Sequence, residues 1–229
     1  YFLTGCSGLT SIDLTPLANT TFVDFGFLSG CTGLTSLELT PLSNVETFTD
    51  GFLSGCNGLT SIDLSKLSKA FNNMKIVPNE FLLGCSNLTS IDLTPLSPVT
   101  QIGTDFLNGC SNITTIDLTM LTNVETINDA FLTNCTGLTS IDLSASAGVT
   151  SVGERFLYGC DNVTTVNMGS ITASMFREST YSFATTNENA KMYKDGITLS
   201  GNDAASIKAK FPDSTTSPFR KIITPSLIK

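Results

Sequence analysis

Residues 27–39 read Phe-Leu-Ser-Gly-Cys-Thr-Gly-Leu-Thr-Ser-Leu-Glu-Leu, and the chain writes this stretch seven times with small changes. Copies begin at Phe2, Phe27, Phe52, Phe81, Phe106, Phe131 and Phe156, at intervals of 25, 25, 29, 25, 25 and 25 residues. A unit of this length cannot bury its apolar side chains alone, so a fixed period in this range predicts a solenoid whose coils stack on their neighbours. Residues 1–169 are therefore expected to form one continuous stack, and residues 170–229, where the period is lost, a small α+β cap on its end. No cap precedes Phe2, which predicts that the stack belongs to a longer protein.

Within the second copy, Leu34, Leu37 and Leu39 follow the spacing L-x-x-L-x-L, the strand signature of a leucine-rich repeat. Alternation over its last three residues turns two apolar side chains inward and one polar side chain outward. The expected fold is a leucine-rich-repeat solenoid: a right-handed coil with a parallel β-sheet on one face. Its other face should hold short strands and 3₁₀ or helical turns. Thr-Pro-Leu at residues 15–17, 40–42 and 94–96 should end each strand, because proline has no N–H for the ladder. A second apolar triplet follows on the return leg, as in Val99, Ile102 and Phe106, and its phenylalanines should stack into a spine.

These segments resemble the BspA-like, or Treponema pallidum-type, leucine-rich repeat proteins. The likeness is carried by LTSIDL at 138–143, VTSVG at 149–153 and FLYGC at 156–160, and it extends over residues 2–169. One departure is that the family's Ala-Phe at the turn is here Phe-Leu, with Ala130 as the one matching alanine. The resemblance implies a secreted or surface-displayed protein, bacterial or sometimes protist, used for adhesion or host contact. It implies no catalytic residues.

Charge narrows the partners. Residues 1–169 hold four basic against fifteen acidic side chains, a net of −11, and the remainder holds eight basic against five acidic. Such a field repels nucleic acid and anionic lipid and favours basic partners. No run of 18 apolar residues offers a membrane span, so no direct membrane insertion is expected. Histidine and tryptophan are absent, which removes the usual general base and the usual sugar-stacking platform. The sequence thus predicts a non-enzymatic recognition or adhesion module at a cell surface or in the secreted fraction, without cofactor. Its partner would be a protein or glycan, basic in character, on a host or neighbouring cell. The competing reading is a structural spacer presenting another domain.

Several residue files repeat once per coil. Cys6, Cys31, Cys56, Cys85, Cys110, Cys135 and Cys160 lack the paired spacing of metal ligands, and are read as buried free thiols. Outward on the strand stand Asp13, Glu38, Asp63, Asp92, Asp117 and Asp142, then Asn167. This file reads either as a strip on the concave face that recognises cations or Lys and Arg side chains, or as a solvated surface that keeps the sheet from aggregating. It is too flat to supply the six to eight oxygens of a calcium cage. Hydroxyls flank it at Thr10, Thr35, Thr60, Thr89, Thr114, Thr139 and Thr164, as structural filler. The 29-residue interval places four extra residues near 68–73, where Lys69 and an exposed Phe71 would offer an anchor to a partner. In the cap, residues 175–183 would cover the last coil and 191–200 form a hairpin. Asn202 or Asp203 would cap a helix ending at Lys210, and 219–223 would form a strand.

Overall fold

The computed structural model describes residues 1–176 and 198–210. Each coil runs through an extended L-x-x-L-x-L segment, a corner, a two-residue return strand, and the Phe-Leu-x-Gly-Cys turn into the next coil. The first corner is a 3₁₀ helix in most coils, for example Thr15–Leu17, Thr40–Leu42 and Thr94–Leu96. Pro16, Pro41 and Pro95 sit within their first two positions, where a missing N–H costs no hydrogen bond.

The return wall carries β1 (Phe22–Val23), β2 (Thr47–Phe48), β3 (Ile76–Val77), β4 (Gln101–Ile102), β5 (Thr126–Ile127) and, later in the chain, β7 (Ser151–Val152). Except between β2 and β3, neighbours pair in parallel at the coil period, as Gln101 with Thr126 and Ile102 with Ile127. The strand wall is less regular than its pattern predicts. Parallel pairing is complete only across β6 (Ser140–Asp142), β8 (Thr165–Asn167) and β9 (Thr198–Ser200). In earlier coils the segment is extended, and its cross-coil backbone bonds reduce to single contacts such as Thr60 N–H to the Thr35 carbonyl (3.2 Å) and Thr89 N–H to the Thr60 carbonyl (3.3 Å).

Cohesion between coils concentrates instead in the turn. Its leucines, Leu3, Leu28, Leu53, Leu82, Leu107, Leu132 and Leu157, all have φ of 53–56°. This left-handed conformation costs a non-glycine residue about 1–2 kcal/mol. It turns each N–H from Leu28 onward toward the preceding coil, so that Leu107 donates to the Phe81 carbonyl (3.1 Å) and Leu132 to the Phe106 carbonyl (3.1 Å). Two residues later the glycine file reaches the other way, with Gly84 N–H on the Asn108 carbonyl (2.7 Å) and Gly109 N–H on the Thr133 carbonyl (2.8 Å). Gly84 holds φ +73°, and in one coil Asn134 takes this place at φ 58°, as the side chain that best tolerates the region.

Two side-chain files close the turn. Phe27, Phe52, Phe81, Phe106, Phe131 and Phe156 are buried and stack on one another, with Phe2 at the start, at centroid separations of 5.3–6.2 Å and interplanar angles of 7–11°. The expected spine is present, and deleting a ring from such a site costs about 3–5 kcal/mol. Each thiol from Cys31 to Cys160 donates to the carbonyl of the left-handed leucine one coil back, as Cys56 to Leu28 (3.0 Å) and Cys110 to Leu82 (3.3 Å). The cysteine is thus more than apolar filler, since its S–H meets a carbonyl that would otherwise face the interior with spare acceptor capacity.

The insertion forms α1 (Ser68–Met74) rather than an open loop. Its inner side chain, Phe71, is fully buried and sits edge-on to Phe48 (5.4 Å) and Phe81 (6.0 Å). The expected exposed anchor at Phe71 is therefore corrected: helical spacing turns Ala70 and Phe71 into the core and leaves Lys69 outside. At the far end Phe176 is buried edge-on against Phe156 (5.9 Å), covering the last ring. The rest of the predicted 175–183 cover, the first arm and turn of the predicted 191–200 hairpin, and the 219–223 strand lie outside the described residues. Ser200 and its neighbours in β9 pair in parallel with β8, continuing the strand wall as an eighth rung. The expected short helix is present as α2 (Ala204–Lys210), and the Asp203 carbonyl accepts the Ile207 N–H (3.0 Å).

All seven cysteines are free, and those from Cys31 onward are buried. Burial pushes the thiols up, Cys56 to about 11 and Cys85 and Cys135 to about 12. Iodoacetamide at pH 8 is thus expected to label at most the half-buried Cys6 in the folded protein, and all seven after denaturation. Mass spectrometry reads the count, and fewer than seven labels after denaturation would mean that thiols had paired.

Candidate functional site

The acidic file owes its position to the corner that ends each strand segment. All six carboxylates are exposed, and each accepts the backbone N–H two residues on. Asp13 takes Thr15 N–H (2.8 Å), Glu38 Thr40 (2.7 Å), and Asp63, Asp92, Asp117 and Asp142 the equivalent groups at 2.9 Å. This local bond stops the extended run and starts the turn. The sequence reading missed this role, although Asp-x-Thr or Asp-x-Ser in nearly every copy is its signal. Asn167 makes the same bond to Gly169 N–H (3.1 Å), so the turn needs the oxygen and not the charge.

The six positions differ in how their charge is answered. Asp63 pairs with Lys66 (3.5 Å), whose field also reaches Glu38. Asp142 accepts the Asn167 side-chain amide (3.0 Å). Asp92 and Asp117, like Asp13, have no cationic partner among the described residues, and Asp92 feels the carboxylates of Asp117 and Asp63 on either side. They line a common cleft of about 110 Å³ with Ile91, Leu93, Thr94, Thr119 and Met120. Met120 stands where three other corners carry proline, a departure in the sequence that marks this place. Among the described residues no group of three or more Cys, Asp or Glu side chains is arranged to hold a metal ion.

The second candidate region is smaller than expected. Lys69 is exposed, but its ammonium is engaged by Glu46 (3.0 Å) and by the Asn44 carbonyl (3.4 Å), while Phe71 is inside. Lys69 therefore braces neighbouring coils, and it presents charge to a partner only at the cost of that brace.

The carboxyls of Asp13, Glu38, Asp63 and Asp92 lie below the usual range, held there first by the hydroxyl and then by the backbone N–H of the residue two on. At Asp117 the backbone N–H of Thr119 leads. A carboxyl with a depressed folded pKa binds its proton more readily when unfolded, so its contribution to stability is full above about pH 4 and drains as pH falls through the lower folded values. Urea midpoints measured from pH 6 to pH 2 should hold to about pH 4 and then fall. Asp92→Asn together with Asp117→Asn should make that fall shallower without unfolding the chain at pH 7.

Against known proteins, the model of the BspA type leucine rich repeat region matches in six copies over residues 1–76 and 65–190. No curated protein matches the chain. Among solved structures, a leucine-rich repeat protein from Bacteroides ovatus is 26% identical, with a TM-score of 0.33. That match covers 68% of this chain, which spans 47% of the Bacteroides protein. The functional domain of InlJ from Listeria monocytogenes, described as including a cysteine ladder, is 16% identical, with 89% of this chain and 63% of that one covered and a TM-score of 0.18. Proteins of the BspA type are typically secreted or surface-displayed and generally non-enzymatic, and no helix among the described residues is long and apolar enough to cross a membrane. By the match of that repeat model over most of its length, the chain belongs to the BspA-type leucine-rich repeat family.

Proposed function

We propose that this chain is a non-enzymatic recognition module of a surface or secreted protein, and that it binds a basic protein or glycan through the acidic file of its strand wall. The observation that carries the reading is the unanswered carboxylate pair, Asp92 and Asp117, lining one cleft. Each carboxylate spends one oxygen on its own corner and keeps the other for solvent or a ligand. The apolar rim of Ile91, Leu93 and Met120 suits the methylene stem of a lysine or arginine, with the charged head between the two carboxylates. The net charge of −11 over residues 1–169 speeds the approach of a cationic surface.

A second reading, a spacer that holds another domain away from a surface, is favoured by the repetition of the same corner bond in every coil, since that bond alone accounts for a carboxylate at each position. One experiment separates the two. The chain is tested on immobilised extracellular-matrix proteins and a glycan panel, at two salt concentrations and with or without Ca²⁺, beside the Asp92→Asn, Asp117→Asn variant. The recognition reading expects a saturable hit, weakened by salt and by roughly tenfold or more in the variant, a loss of about 1.4 kcal/mol. No hit, or a hit indifferent to the variant, returns the weight to the spacer.

A further inference from the structure

The return wall is interrupted at one junction. β1 pairs with β2, and β3, β4, β5 and β7 form a second sheet, but β2 and β3 do not pair. At the intact junctions the wall is tied by backbone bonds such as Thr49 N–H to the Val23 carbonyl (3.1 Å), Asn128 N–H to Ile102 (3.0 Å) and Gly153 N–H to Ile127 (2.8 Å). Between β2 and β3 the only backbone bond close by is Gly51 N–H to the Asn79 carbonyl (2.9 Å), past the strand ends, and the remaining ties are made by side chains. Phe48 N–H donates to the Met74 sulfur (3.4 Å), and Asn79 reaches the Asp50 carboxylate through its backbone N–H (2.9 Å) and its amide (3.0 Å). Lys69 holds Glu46 across the same gap (3.0 Å). The Thr49 hydroxyl, beside the gap, is buried without a hydrogen-bond partner, a mark of imperfect closure.

The opposite side of this junction keeps its backbone bonds. Leu82 N–H meets the Phe52 carbonyl (3.1 Å), Gly55 N–H the Leu83 carbonyl (2.5 Å), and Thr89 N–H the Thr60 carbonyl (3.3 Å). The turn is thus tied across the junction by backbone, while the return wall is held there mostly by side chains around an inserted helix.

From this asymmetry we infer that the junction between β2 and β3 is a hinge, at which the solenoid flexes by opening and closing its return wall while the turn file acts as the pivot. The α1 helix is the wedge, with Phe71 sliding on the edges of Phe48 and Phe81. The chain crosses the hinge at α1, so the hinge divides the strand wall into the first three rungs and a stiffer block from the fourth rung onward. The cleft between Asp92 and Asp117 lies within the stiffer block, so flexing changes what the first three rungs present beside it without deforming the cleft.

The test uses the full chain with Cys6→Ser, whose other thiols are buried, and nitroxide labels at introduced return-wall cysteines. Phe22→Cys with Gln101→Cys spans three coil steps across the hinge. Ile76→Cys with Ser151→Cys spans three steps of unbroken wall. Phe22 and Ile76 are exposed (51% and 39%) and lie outside the core, so the labelled chains are expected to fold. Pulsed dipolar spectroscopy should give a distance distribution across the hinge at least half again as wide as that of the unbroken pair. Equal widths, or a wider distribution in the unbroken wall, would overturn the inference.

Discussion

The interaction on which the rest depends is the pair of opposed backbone bonds in each Phe-Leu-x-Gly-Cys turn. A leucine N–H reaches back one coil and a glycine N–H reaches forward one, so every interior coil is fastened to both neighbours at the same corner. Seven leucines occupy a conformation that the residue disfavours in order to aim those groups. The cost is offset by what the geometry brings together: a buried leucine, a stacked phenylalanine, and a thiol that satisfies the leucine carbonyl from the next coil. Each partner needs the others at the coil period, which is why the copies vary so little here and more freely elsewhere.

The strand wall is left with less structural duty. Its segments are extended by their alternating pattern and stopped by an aspartate corner bond, but few cross-coil bonds bind them until β6. A wall that does not carry the cohesion of the stack can vary its side chains with little penalty. The unanswered carboxylates occur on that wall, with Met120 at the corner that follows it, and the return wall accommodates a whole inserted helix because the turn file still closes around it.

Much of this was legible in the sequence, and the failures have physical causes. Period, apolar spacing and proline placement led to the coil, the corner that ends each strand and the phenylalanine spine, because each is a direct consequence of burial or of a missing N–H, whereas the 3₁₀ turn expected on the return face lies at that corner instead. The turn was not legible as the main fastening, since leucine argues against positive φ and only the following glycine hinted at it. Phe71 was assigned to the surface because it lay in an insertion. The run Ala70, Phe71, Met74 has helical spacing, and weighing it would have turned the ring inward. The aspartate file was found by position but not by its local bond, although the serine or threonine two residues on was visible in nearly every copy. Which carboxylates stand unanswered depends on where Lys66 and Asn167 reach, and only coordinates give that.

Whether the turn file holds the coils together is read by residue-resolved amide hydrogen exchange in NMR. The N–H groups of Leu82, Leu107, Leu132, Gly84 and Gly109 are expected to exchange most slowly, slower by roughly tenfold or more than those of Thr60 and Thr89 on the strand wall. Strand-wall amides that outlast the turn amides would contradict it, and would return the cohesion of the stack to the sheet.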